Sequence, residues 1–229
     1  MPKSLVMREI PGIPYTFDNP DLLALALSHR SIGQTNNERL EFLGDAILDF
    51  VVSASLFASR PDNSEGDLSR LRARVVRGRT LAELATELKL GDHVKLGGGE
   101  LKSGGFKRDS ILADTLEAIF GAIYLDGGFE PCKKVIQHIC DPVIARLPEA
   151  DELKDPKTRL QEWLQGRGYP LPEYQLLSES GPPHKKHFVV KYLDKTVGID
   201  VEGQGGSRQK AEQSAAASAL DTITSESIK

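Results

Sequence analysis

Apolar residues recur at the spacing of an α-helix through most of the first two thirds of the chain. The segments that show this spacing are 21–27, 40–57, 68–76, 80–90, 110–125 and 130–147. Turn-forming stretches separate them, at 61–66, at the glycine-rich 96–106 and at 126–128. The pattern predicts that this part of the chain is all-α.

The hydrophobic period changes after a polar segment with two prolines, 147–156, which is typical of a linker. Beyond it the sequence predicts a helix at 157–165, strands at 174–177, 187–193 and 196–201, an alanine-rich helix at 207–220 and a frayed end at 222–229. We therefore predict a multidomain chain. An all-α domain occupies 1–148, a linker 149–155, and a small α+β domain of order α-β-β-β-α 156–225.

Composition is that of an ordinary globular protein, with 39% hydrophobic and 27% charged residues among 229. We expect no membrane span, because no stretch is apolar over the thickness of a bilayer. We expect a cytoplasmic protein, because the first ten residues lack the apolar core of a secretory signal. Cys132 and Cys140 are too few and too far apart for a zinc site, which predicts two packed, reduced thiols.

One predicted helix has an acidic face and an apolar face. At about 100° per residue, Glu38, Glu41 and Asp45 fall within about 60° of one another. The apolar residues predicted on the opposite side are Leu40, Leu43, Ile47, Phe50 and Ala54. The helix would therefore bury one side and present carboxylates on the other.

A second predicted helix repeats this design, with Asp114 and Glu117 one turn apart and Gly121 beyond them. Its predicted buried stripe consists of Leu112, Leu116, Ile119 and Ile123. If the two acidic faces meet, at least four carboxylates share a small space, where like charges repel unless a cation is present. Such a set of oxygen ligands suits Mg²⁺ or Mn²⁺. The alternative is that each acidic face simply contacts solvent.

Two runs surround these carboxylates. Residues 37–46 are Asn-Glu-Arg-Leu-Glu-Phe-Leu-Gly-Asp-Ala, and residues 114–122 are Asp-Thr-Leu-Glu-Ala-Ile-Phe-Gly-Ala. They resemble the signature of bacterial ribonuclease III and its partner acidic helix. Ser28-His29-Arg30-Ser31, Glu65 and Gly99-Glu100 also match the family's pattern, so the resemblance covers nearly the whole chain.

The resemblance implies a metal-dependent endoribonuclease that cuts double-stranded RNA. Its metal ligands would be Glu41, Asp45, Asp114 and Glu117, with Asp45 and Glu117 most directly catalytic. Glu38 and Glu65 match acidic positions near the RNA and the dimer interface. The family also implies a homodimer, Mg²⁺ as cofactor with Mn²⁺ able to replace it, 5′-phosphate and 3′-hydroxyl ends, and a role in processing ribosomal and other structured RNA.

The last 75 or so residues resemble a double-stranded RNA-binding domain, a module that contacts two minor grooves and the phosphates between them. This resemblance implies that Thr158, Gln161 and Glu162 face one minor groove and that His184, in the loop after the first strand, reaches the next. The net charge of −4 argues against a polyanionic partner, so binding must depend on such local groups.

Basic residues at the start of the last helix point to RNA independently of any family. Ser207 is a plausible N-cap, which places Arg208 and Lys210 in the first helical turn, where the helix dipole disfavours positive charge. An anion that docks there would explain them. Gln209 stands where family members often have a third basic residue, which predicts weaker phosphate contact.

Three other interpretations compete with this one. A di-iron bundle needs Glu-x-x-His pairs, which the sequence lacks, and the glycines at 97–99 and 104–105 do not have the spacing of a nucleotide-binding loop. An RNA-binding protein of the same fold that does not cut would usually lose acidic positions that are all present here. For the arginines between 70 and 79, simple solvent exposure and RNA contact are equally favoured by the sequence.

Overall fold

A computed structural model describes residues 7–149 and 154–226. The chain divides into two compact units, 1–150 and 151–229. Part of the predicted linker, 150–153, and the ends of the chain lie outside the described residues.

The first unit is helical, as predicted. Its helices are α1 (Pro20–Ala26), α2 (Glu38–Ser59), α3 (Glu65–Val76), α4 (Gly78–Glu87), α5 (Gly98–Lys102), α6 (Asp109–Gly127) and α7 (Phe129–Ala145). The short helix α5 lies inside the glycine-rich stretch, where sequence spacing predicted only a turn. Side-chain caps explain several starts; for example, Ser64 and Asp67 form a capping box at α3.

Helix α6 forms the centre of this unit and packs against α1, α2, α4 and α7. The predicted stripe is buried, but so are residues on its other sides, including Ala113, Ala118 and Phe120. Cys132 and Cys140 of α7 are buried free thiols, as predicted, and the Cys132 Sγ donates to the Phe120 carbonyl oxygen at 3.2 Å.

Helix α2 departs from the prediction in two respects. Leu40 and Ile47 are buried, whereas Phe50 is 61% exposed and Ala54 is exposed, because the helix turns a different side, including Gly44 and Val51, into the core. By length and composition alone, α2 is also apolar enough to cross a membrane. Core helices of proteins in water pass the same test, and α2 packs along α6.

The second unit has the predicted order α-β-β-β-α. Its elements are α8 (Pro156–Gln165), β1 (Tyr174–Ser180), β2 (His187–Asp194), β3 (Ile199–Gly205) and α9 (Arg208–Glu226). The sheet is antiparallel in the order β1-β2-β3, with an irregularity in β1 between Leu176 and Ser178. Residues 196–198, predicted as strand, form the turn before β3, and α9 continues through the stretch predicted to fray, up to Glu226.

Small residues allow α9 to lie directly on the sheet. The buried side of α9 consists of Ala211, Ala215, Ala216, Ala219 and Ile223. A Cβ atom at Gly203 of β3 would lie 2.1 Å from the Ala215 backbone nitrogen, so only glycine permits this approach. Leu160 and Leu164 of α8 complete the core with Val190 and Tyr192 of β2. The two helices thereby cover one face of the sheet.

Candidate active site and RNA interface

Two glycines set the distance between the acidic helices. A Cβ atom on Gly44 of α2 would lie 1.8 Å from the Glu117 carbonyl oxygen, and one on Gly121 of α6 would lie 2.2 Å from the Leu40 carbonyl oxygen. Both distances are far below van der Waals contact, so the backbones meet only because these positions lack side chains. Acidic residues flank this crossing on both helices, which brings their carboxylates together.

Three of the predicted metal ligands converge at the crossing. Glu41 of α2 and Asp114 and Glu117 of α6 each offer a carboxylate oxygen, and these atoms all lie within 4.8 Å of one another. All three side chains are partly buried. We refer to Glu41, Asp114 and Glu117 as the carboxylate cluster.

Asp45 lies beside the carboxylate cluster, outside this 4.8 Å group. Burial raises the pKa of Glu117 from its ordinary value of 4.5 to about 8, and the negative charge of Asp45 is the second largest cause. Partial desolvation by neighbouring atoms, followed by repulsion from Asp49, raises the pKa of Asp45 itself, although the residue is exposed. Asp45 therefore interacts electrostatically with the cluster, although its carboxylate lies outside the group of oxygens within 4.8 Å of one another.

The other two cluster residues are also pushed toward the neutral form. Burial, repulsion from Asp114 and repulsion from Glu38 raise the pKa of Glu41, and burial raises the pKa of Asp114. The positive charge of Arg30 opposes both shifts. Carboxylates that repel one another in this way form a site that favours a bound cation.

The remaining acidic residues of the family pattern lie in different surroundings. Glu38 begins α2 and forms an ion pair with Arg30, with 3.7 Å between Oε1 and Nη1. Glu65 begins α3, accepts a hydrogen bond from the Ser69 hydroxyl and lines a surface cavity. Glu100 of α5 is ion-paired with Arg108 at 2.5 Å.

Sequence analysis missed Asp49, one turn beyond Asp45 on α2. Its charge raises the pKa of both Asp45 and Glu117, and its Oδ1 atom is buried with no hydrogen-bond partner within the described chain. The available signal was its spacing: at about 100° per residue it falls on the same face as Glu38 and Asp45.

The predicted RNA-binding residues of the second unit are accessible at three places. On α8, Gln161 and Glu162 are exposed and Thr158 is partly exposed. The Thr158 hydroxyl donates to Asp155, the N-cap residue, at 2.6 Å, and Glu162 forms an ion pair with Lys154 at 2.6 Å. Each group except Gln161 therefore has an internal partner that RNA would have to replace or share.

The second place is the exposed His184 in the β1–β2 turn, and the third is the start of α9. Ser207 caps that helix, as predicted, because its Oγ accepts from the Lys210 backbone nitrogen at 3.2 Å. Arg208 forms an ion pair with Glu212 at 2.9 Å. Lys210 is exposed, and its ammonium has no ion pair among the described residues. Lys210 is thus the more available of the two cations.

The two units match two family models. Residues 19–143 match the ribonuclease-III-like model, and residues 156–223 match the double-stranded RNA binding motif. A helical unit with a crowded carboxylate cluster, joined to such a motif, defines a class of protein: an endonuclease that acts on double-stranded RNA.

Whole-length relatives identify the family. The chain is 54% identical over 209 residues to Ribonuclease 3 of Alkalilimnicola ehrlichii, covering 91% of this chain and 92% of that protein. It is 53% identical over 206 residues to Ribonuclease 3 of Pseudomonas aeruginosa, covering 90% of each. The chain belongs to the ribonuclease III family. The predictions of an endoribonuclease and of a double-stranded RNA partner are thereby confirmed, and membership implies use of a divalent metal ion.

Solved structures of ribonuclease III nuclease domains are similar to the first unit. The nuclease domain of ribonuclease III from Campylobacter jejuni is 43% identical, with a TM-score of 0.57, and covers 60% of this chain and 94% of that one. A second structure of that domain is 45% identical, with a TM-score of 0.56, covering 57% and 92%.

Proposed function

We propose that this endoribonuclease hydrolyses phosphodiester bonds of double-stranded RNA with Mg²⁺ held by Glu41, Asp45, Asp114 and Glu117, and that Mn²⁺ can replace it. The convergence of three carboxylates within 4.8 Å, with raised pKa values, is the observation that carries the proposal. The donors are all carboxylate oxygens, which fits a hard divalent cation. A divalent ion bound there would activate a water molecule for attack on the phosphorus and would stabilise negative charge on the leaving oxygen.

The protein's own part is to hold four carboxylates in position, and Glu117 must in addition release a proton. Glu117 starts from a pKa of about 8, so a cation must displace its proton at neutral pH. Asp45 and Glu117 are the residues we assign most directly to catalysis. Hydrolysis would leave 5′-phosphate and 3′-hydroxyl ends, and ribosomal and other structured RNA in the cytoplasm are the proposed substrates.

We also propose the domain bounds 1–148 and 156–225, joined by a linker at 149–155. The division of the chain at 150 and the two matched ranges support these bounds. In the second domain we assign RNA contact to three regions. The residues are Thr158, Gln161 and Glu162 on α8, His184 in the β1–β2 turn, and Ser207, Arg208 and Lys210 at the start of α9.

A homodimer is the proposed assembly. Phe42, Phe50 and Phe57 of α2 are 78%, 61% and 75% exposed, and Phe50 and Phe57 line a cavity of about 650 Å³ together with Glu65 of α3. Exposed aromatic surface of this kind marks protein interfaces. The Campylobacter jejuni nuclease domain was described as having a region involved in dimer formation.

Phe57→Ser should therefore weaken the dimer, because it removes apolar area from this surface. Sedimentation equilibrium should show dissociation at a protein concentration where the unmodified chain is dimeric. The control is Leu125→Ser, which alters a residue of α6 that is 54% exposed. Equal effects of both changes, or none from Phe57→Ser, would contradict this interface.

Cleavage itself is tested on a long, perfectly paired RNA duplex, with single-stranded RNA and a DNA duplex as controls, each with Mg²⁺ or with chelator. Short duplex products with Mg²⁺ alone are the expected outcome. A retarded but intact RNA duplex in both conditions would instead indicate RNA binding without metal-dependent cutting.

A further inference from the structure

The chain segment 28–31 is held rigidly beside the carboxylate cluster. Ser28 forms a parallel β-bridge with Lys95, and the His29 backbone nitrogen donates to the Lys95 carbonyl oxygen at 3.1 Å. On the other side of Arg30, the Ser31 hydroxyl accepts from the Gly97 backbone nitrogen at 2.8 Å. The backbone of Arg30 is thus fixed from both directions.

The Arg30 side chain, in contrast, is 71% exposed. Its ion pair is with Glu38, whose side chain is 53% exposed, and within the described residues it makes none with Glu41, Asp114 or Glu117. Its charge nevertheless acts on Glu41 and Asp114. Arg30 therefore lies close enough to the cluster to lower the pKa of Glu41 and Asp114, although its ion pair is with Glu38.

The contact with Glu38 is easily exchanged. Exposed ion pairs contribute little because water screens them, and 3.7 Å exceeds the usual length of a charged hydrogen bond. A phosphate group offers the same planar guanidinium two oxygens in a matching geometry. A phosphate that approaches the acidic cluster also needs a positive charge to offset repulsion by the carboxylates.

We propose that Arg30 is a substrate-positioning residue whose guanidinium exchanges Glu38 for a phosphate oxygen of the RNA strand beside the carboxylate cluster. This inference rests on the proposed metal-dependent cleavage of RNA. In this scheme, Glu38 holds the Arg30 guanidinium at the edge of the site until RNA binds.

Salt dependence of RNA binding tests the contact without requiring activity. Duplex affinity is measured across a range of KCl concentrations in a Glu117→Gln background, with and without Arg30→Gln. Loss of Arg30 should reduce the slope of log affinity against log salt by about one phosphate contact. The control is Lys134→Gln, because Lys134 is exposed on α7 and lies outside the arginine run 70–79. It should leave the slope unchanged.

Cleavage provides the second measurement. In the chain with Glu117 intact and at saturating Mg²⁺, Arg30→Gln should lower the single-turnover rate by about ten- to a hundredfold, the effect of one charge-assisted hydrogen bond. Arg30→Lys should recover part of it, because it keeps the charge but not the forked geometry. The melting temperature of each variant should match that of the unmodified chain.

Four outcomes would overturn the proposal. They are an unchanged slope, an equal loss of slope in the Lys134 control, a change only in the Mg²⁺ requirement, and a loss of rate that follows a loss of melting temperature. If the unmodified chain leaves the duplex uncut, the proposed cleavage fails instead, and the slope comparison still tests Arg30 as an RNA contact.

Discussion

Glu117 shows how one residue acquires unusual chemistry from its surroundings. Its helix position is ordinary, but partial burial and the charges of Asp45, Asp114, Glu41 and Asp49 raise its pKa to about 8. Such a carboxyl is protonated at neutral pH until a cation displaces the proton. The residue therefore couples metal binding to proton release.

Glu117→Gln tests this role, because it keeps the shape of the side chain and removes its charge. Cleavage should fall by about a thousandfold or more, since metal catalysis contributes several kcal/mol and each 1.4 kcal/mol or so is tenfold. Duplex affinity measured by gel retardation should stay the same, because the RNA contacts we propose lie elsewhere. Equal loss of cleavage and affinity would assign the carboxylates to folding or binding.

At the scale of elements, the α2–α6 crossing depends on the absence of two side chains. Gly44→Ala would place a methyl group 1.8 Å from the Glu117 carbonyl oxygen, so the helices must separate. We expect a loss of at least about 1–3 kcal/mol in the free energy of unfolding, as for overpacked cores, together with loss of cleavage.

Chemical denaturation and the duplex assay measure both effects of Gly44→Ala. Gly78→Ala is the matched control, because a Cβ atom there meets nothing within 4 Å. An alanine at Gly44 that leaves both stability and cleavage unchanged would show that the crossing is not as close as described.

The start of α9 leads to a prediction about duplex binding. Arg208 is engaged by Glu212, which also accepts from the Lys157 ammonium at 2.6 Å, whereas Lys210 is exposed without an ion pair among the described residues. Lys210→Gln should therefore weaken duplex binding by about tenfold, the value of one charged hydrogen bond, and Arg208→Gln should weaken it less.

Fluorescence anisotropy with a labelled duplex gives these affinities in a Glu117→Gln background. Lys195→Gln, in the exposed β2–β3 turn, serves as a control for general loss of charge. The reverse order for Arg208 and Lys210 would mean that RNA displaces Glu212 from Arg208.

For the whole molecule, crowded carboxylates link stability to both pH and metal. The pKa of Glu117 is raised from 4.5 to about 8 in the folded chain, so the folded state binds more protons than the unfolded state between these values. The stability from this group is complete below pH 4.5 or so and is lost as the pH rises through about 8. Metal-free protein should therefore lose stability across this window.

Millimolar Mg²⁺ should raise the melting temperature, because it binds the folded site, and should raise it more above pH 8 or so than below, where protons compete for Glu117. Differential scanning calorimetry at both pH values, with and without Mg²⁺, measures this difference. Glu117→Gln is the control and should show a smaller and less pH-dependent increase. A melting temperature indifferent to Mg²⁺ would argue against a shared site.

The sequence by itself determined the helical and α-β-β-β-α parts, because hydrophobic periodicity reflects which side of each element is buried. It also determined the candidate carboxylates, since helical spacing places Glu41 and Asp45 on one face and Asp114 and Glu117 on another. Only the tertiary structure decided that Gly44 and Gly121 bring the helices together, that Phe50 faces outward, and that Asp49 and Arg30 act on the cluster. These features depend on contacts between residues distant in the chain, and the periodicity of a single element carries no information about its neighbour.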